Sequence, residues 1–134
     1  MCLAIYIASN KPLPLIPWNE EKPAFYVIEV VDDGAGAKRQ FQYKYVYYAG
    51  SHEGCGCGFI KDGEADEELA QVEENYKRLS AYLKDAKESG ALLQLFSCWE
   101  GDQTQEPEFR EEIDENILNE SLFEFKDKAL YRVV

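Results

Sequence analysis

Hydrophobic and polar positions follow two periods along this chain, and the switch between them outlines the elements. From Cys2 to Ala8 the period is two. Leu3, Ile5 and Ile7 point one way, and Cys2, Ala4, Tyr6 and Ala8 the other. Both sets are mostly apolar, which predicts a strand covered on both faces. Phe25 to Val31 predicts a second strand, and Asp32-Asp33-Gly34-Ala35-Gly36 supplies turn residues. Arg39 to Tyr48 predicts a third strand, antiparallel to the second across that turn. In it Phe41, Tyr43, Tyr45 and Tyr47 share one face, suited to packing against a helix.

The period then lengthens. Leu69, Val72, Tyr76, Leu79, Leu83 and Ala86 recur at alternating steps of three and four, which makes one apolar helical stripe. Asp66, Glu67 and Glu68 crowd its start, and Lys84 and Lys87 lie near its end, as the helix dipole prefers. Glu73 with Lys77 and Glu74 with Arg78 are favourable pairs four residues apart. The helix is expected from about residue 65 to about residue 89, with Gly90 ending it. Ala91 to Trp99 predicts an apolar fourth strand. The acidic stretch from Gln103 to Glu115 is expected to be a solvated excursion, with a helical turn near Glu108 to Leu118. Leu122 to Phe125 and Leu130 to Val133 are expected to form a closing hairpin. Together these elements predict a single α+β domain over residues 1–134. Its core would be a mostly antiparallel sheet of about five or six strands, with the long helix packed on one face. A strand–helix–strand crossover would also allow one parallel pair.

Two connectors break the periodicity. Lys11-Pro12-Leu13-Pro14-Leu15-Ile16-Pro17-Trp18 is held extended by its prolines. It is expected to wrap a core edge with Leu15, Ile16 and Trp18. The other connector is Gly50-Ser51-His52-Glu53-Gly54-Cys55-Gly56-Cys57-Gly58-Phe59, which holds the only histidine and two of the four cysteines. Glycines at every second position make a poor strand. They serve where a backbone must approach something closely.

Composition narrows the classes. A chain of 134 residues with 46% hydrophobic and 30% charged positions is long enough to bury a core and unlike a disordered segment. A net charge of −12 opposes binding to phosphate backbones and anionic lipid. It would favour a basic protein partner, such as a toxin neutralised by an immunity-type protein. Leu3 to Ala8 is too short for a secretory signal, and Lys11 and Pro12 follow it. A reducing, cytoplasmic setting with free thiols is therefore expected.

The chemistry centres on cysteine. His52, Cys55 and Cys57 offer three donors suited to zinc or a related metal, and Cys98 or Cys2 would be the fourth. Alternatively, His52 would activate Cys55 or Cys57 as a thiolate for redox chemistry. Cys2 after Met1 also matches the start of amidotransferases that use an N-terminal nucleophile, although Leu3 stands where glycine commonly follows. No Ser/His/Asp signature, Walker-type loop or dinucleotide fingerprint is present. A non-catalytic intracellular binding or interaction domain with an acidic surface is therefore the first expectation, and a Cys/His metal or thiol site the second. The Met1-Cys2 start, the stretch from Tyr47 to Phe59 and Cys98-Trp99 with Gly101-Asp102 resemble small bacterial proteins of uncharacterised activity. The resemblance implies that these stretches share one site, and it implies no reaction.

Overall fold

The computed structural model describes residues 2–30, 32–63 and 65–134. Met1 of the Met-Cys start, Val31 at the expected end of the second strand and Glu64, just before the expected helix, lie outside the described residues. The fold is α+β. Its strands are β1 (Leu3–Ser9), β2 (Tyr26–Glu29), β3 (Tyr45–Gly50), β4 (Leu93–Trp99), β5 (Phe109–Ile113) and β6 (Ala129–Val133). One α-helix among the described residues, α1 (Asp66–Glu88), lies between β3 and β4 in the chain. The six strands form one sheet in the order β2-β3-β1-β4-β6-β5.

β1 lies between β3 and β4 and is antiparallel to both. Every residue of β1 is buried, as its two apolar faces require. On one face Leu3, Ile5 and Ile7 join Leu93, Leu95 and Tyr131 under α1, which contributes Val72, Tyr76, Leu79, Leu83 and Ala86. On the other face Ala4, Tyr6, Phe96, Cys98 and Leu130 form a smaller cluster. Its cover comes from a stretch that reads as turn and strand in the sequence. Asp32–Gln40 is a 3-10 helix. Ala37 is fully buried there, and Phe41 packs edge-on to Phe96. The third strand therefore begins only at Tyr45. Alternation does not run through residues 41 to 44, so Phe41 falls on the face opposite Tyr45 and Tyr47.

α1 ends as its sequence requires. Gly90 has φ +93, and Ala91 N donates to Ala86 O at 3.0 Å. Of the two expected i,i+4 pairs, Arg78 meets Glu74 at 2.9 Å. β3 and β4 run parallel but do not pair, because β1 lies between them. The parallel pair is instead β5 with β6.

β5 was not legible as a strand. Four of its five residues are exposed, so no apolar face marks it, and it is held by pairing with β6 and by Ile113 at its end, which enters the core. Leu122 to Phe125 shows the reverse error: it alternates but forms no strand. Phe123 and Phe125 instead pack against Tyr76 and Tyr131. The proline connector does cover a sheet edge. Ile16 exchanges two 2.9 Å hydrogen bonds with Val27 of β2, and Leu13 is buried. Leu15 points outward at 51% exposure.

Candidate metal centre

The Gly/Cys loop leaves β3 at the sheet end where β1 begins, since antiparallel pairing sets Ile5 opposite Ala49. Its conformation is fixed by polar groups buried beneath it. Ser51, fully buried, donates through Oγ to Cys55 O at 2.6 Å and accepts from Gly58 N at 3.0 Å. Asn75 of α1 donates from Nδ2 to Gly58 O at 3.1 Å. Tyr76 donates from its hydroxyl to Phe59 O at 2.6 Å. Tyr26 donates to Gly54 O at 2.5 Å from the outer side. Buried backbone groups need such partners, and here they hold the loop against the domain.

Gly56 then sets the position of the cysteines. A Cβ at this residue would overlap the carbonyl of Leu3, so only glycine lets the loop lie directly on the start of β1. Cys55 and Cys57 flank it, and Cys2 precedes Leu3. The three Sγ atoms of Cys2, Cys55 and Cys57 lie within 4.8 Å of one another. All three residues are half-buried, and all four cysteines of the chain are free thiols. Cys57 N also donates to Cys55 Sγ at 3.4 Å.

The other two expected ligands stand elsewhere. Cys98 is fully buried in the smaller apolar cluster, opposite Ala4 in the register. His52 is turned toward α1, where its Nδ1 lies 2.7 Å from Asn75 Nδ2. That amide nitrogen already donates to Gly58 O, so His52 Nδ1 is the acceptor and the ring proton sits on Nε2. Nε2 is buried. It lies 3.3 Å from Glu53 Oε1 and 3.9 Å from Glu68 Oε2. These three residues also lie close enough to surround a cation, as a group separate from the three thiols. The role of Asn75 was missed in the sequence. The one available signal was a polar residue beside Tyr76 on the buried side of the stripe.

The stretch after β4 adjoins the thiols through the main chain. Glu100 N donates to Cys2 O at 2.7 Å, which ties residues 98–102 to the start of β1. Burial pushes the Cys55 thiol from its ordinary 9.0 up to about 12, with the neighbouring thiols of Cys57 and Cys2 adding to the rise. Burial also raises the Cys98 thiol to about 12, helped by Asp127, Glu100 and Asp102. Tyr6 and Tyr26 rise to about 12 for the same primary reason.

These shifts give a signed prediction for the metal-free protein. Each group keeps its proton in the fold at a pH where the unfolded chain has lost it. The native state then binds more protons than the unfolded one, and stability falls as pH rises. The urea midpoint is therefore expected to hold up to about pH 9, near the unfolded thiol value, and to fall steadily toward pH 11. A midpoint unchanged over that interval would contradict the burial of these thiols.

No protein-family model, no curated protein and no solved structure matches this chain. No helix among the described residues is long and apolar enough to cross a membrane.

Proposed function

We propose that this protein is a non-catalytic binding domain for a thiophilic metal ion, zinc or the softer Cu(I), held by Cys2, Cys55 and Cys57. The observation that carries this reading is the convergence of three free sulfurs within 4.8 Å. A tetrahedral zinc–thiolate site, with Zn–S near 2.3 Å, sets its sulfurs ~3.8 Å apart. The trio thus needs only a small contraction. Thiolates select zinc and Cu(I) over harder cations. Three sulfurs can complete a Cu(I) site, whereas zinc would keep one position for an exogenous ligand. The reading requires a reducing compartment, because oxidation would remove donor sulfurs.

Two features favour metal binding over thiol catalysis. The raised Cys55 pKa leaves this thiol protonated near neutral pH, where a nucleophile must be ionised. His52, the one candidate base, is engaged with Asn75. A metal overcomes the same barrier by displacing the protons. The test is anaerobic titration of the reduced protein with Zn2+ and with Cu+ against a competing chelator. One equivalent should bind with release of protons, and affinity should still be rising above pH 8. Binding no tighter than that of a variant with all three cysteines changed to serine would end the proposal.

A further inference from the structure

The thiol group has three members and no fourth. Among the described residues, no imidazole or carboxylate joins Cys2, Cys55 and Cys57. His52 is turned to Asn75, and Cys98 is sealed in the smaller apolar cluster. The surroundings that act most on Cys55 are its burial, the Cys57 amide and the other two thiols. None of these is a cation.

Guests differ in what they ask of three sulfurs. Structural zinc sites are almost always four-coordinate. A trivalent metalloid forms three bonds and keeps a lone pair, so three sulfurs complete it at the apex of a pyramid. Charge makes a second distinction. Three thiolates around Zn2+ leave one negative charge, and around Cu+ they leave two. Around a trivalent metalloid the charges cancel. A net charge in a half-buried site is costly unless a counter-ion meets it, and the chain's −12 adds to the repulsion. Both coordination number and charge therefore select the metalloid.

We propose that Cys2, Cys55 and Cys57 take up a trivalent metalloid, arsenic(III) or antimony(III), as a neutral tris-thiolate. The inference rests on the reading above that the three sulfurs act as one ligand set. It changes the guest from a cation to a neutral hydroxide such as As(OH)3. On binding, three S–H and three As–O bonds break, and three As–S bonds form. Each thiol proton leaves with a hydroxide, so three waters depart. Arsenic stays trivalent, and no oxidant or base is needed. Cysteine thiols are protonated near neutral pH. Zinc and Cu+ must expel those protons, whereas the metalloid hydroxide carries them away as water. The layout suits capture in steps. Cys55 and Cys57 lie on one loop, and Gly56 between them seats that loop on Leu3, next to Cys2. The third sulfur is thus held beside the first two, and linkage of this kind raises affinity by about 10²–10⁴.

Native mass spectrometry of the reduced full chain with sodium arsenite tests this directly. One arsenic should be gained and three hydrogens lost, and Cys2, Cys55 and Cys57 should all become resistant to alkylation. Cys57→Ser keeps two sulfurs and should bind arsenite at least ~100-fold more weakly. The mass and alkylation readouts use the parent chain, so they decide the matter even where the variant folds poorly. An adduct that retains a hydroxyl, the mark of two sulfurs, would overturn the proposal. So would binding no tighter than that of the variant with all three cysteines changed to serine. Zn2+ and Cu+ titrated in parallel separate the two readings. Cation binding without arsenite binding would end this inference alone, and arsenite binding without cation binding would end the metal-ion reading alone.

Discussion

Cys55→Ser is expected to lower the affinity for Zn2+ or Cu+ by at least ~100-fold, because loss of an outer-shell partner alone costs 10–100-fold at metal sites. Serine keeps the size of the side chain but offers a hard, weakly acidic oxygen in place of a soft sulfur. Cys2→Ser and Cys57→Ser should behave alike, since the three Sγ atoms form one group. His52→Ala and Cys98→Ser should leave the affinity near the parent's, because neither residue belongs to that group. Cys98→Ser would act on stability instead. Its hydroxyl would lie fully buried among Ala4, Tyr6, Phe96 and Leu130, at a cost of about 1–3 kcal/mol. Chelator competition measures the first effect and urea denaturation the second. If Cys55→Ser bound metal as tightly as the parent, the trio would not be the ligand set.

Gly56→Ala is expected to damage stability and binding together. The added Cβ would meet the carbonyl of Leu3, which is backbone in a fully buried central strand and has nowhere to move. Overpacking of this kind costs about 1–3 kcal/mol, or a melting temperature lower by roughly 4–15 °C for a domain of this size. The loop is the softer partner, so it should withdraw from β1. Cys55 and Cys57 would move with it, away from Cys2. Metal affinity should therefore fall even though every sulfur remains. That combination separates Gly56→Ala from Cys55→Ser, which should bind poorly while melting near the parent's temperature. A Gly56→Ala protein of unchanged stability would mean that the loop does not rest on β1 as described.

Several elements could be read directly from the chain. β1 and β4 carry apolar residues on both faces, and α1 carries an unbroken stripe from Leu69 to Ala86. In each the burial pattern is written in the order of the residues. β5 offers no such record, because Phe109 to Glu112 are exposed and pairing with β6 supplies its order. The 3-10 segment Asp32–Gln40 is similar. Its glycines and charges match a turn, yet it carries Ala37 into the second core. Local propensity does not reveal that a polar-looking segment will be used as cover.

The candidate site divides the same way. Its loop was conspicuous in the sequence, because alternating glycines and cysteines have few ordinary structural uses. Its membership was decided by the fold. Cys2 and Cys98 both lie at the sheet end that the loop reaches, on strands paired in register. Cys98 sits opposite Ala4, farther into the sheet, under apolar cover. Cys2 lies at the rim, where Gly56 lets the loop descend onto Leu3. His52 is near in sequence to Cys55 but is drawn to Asn75, a residue 23 positions later. The sequence by itself determined the apolar faces, the long helix and the unusual loop, since these depend on neighbours along the chain. Tertiary structure alone decided which thiols meet and where the histidine points. Those outcomes depend on strand order and on close approach between segments far apart in the chain, which no local pattern encodes.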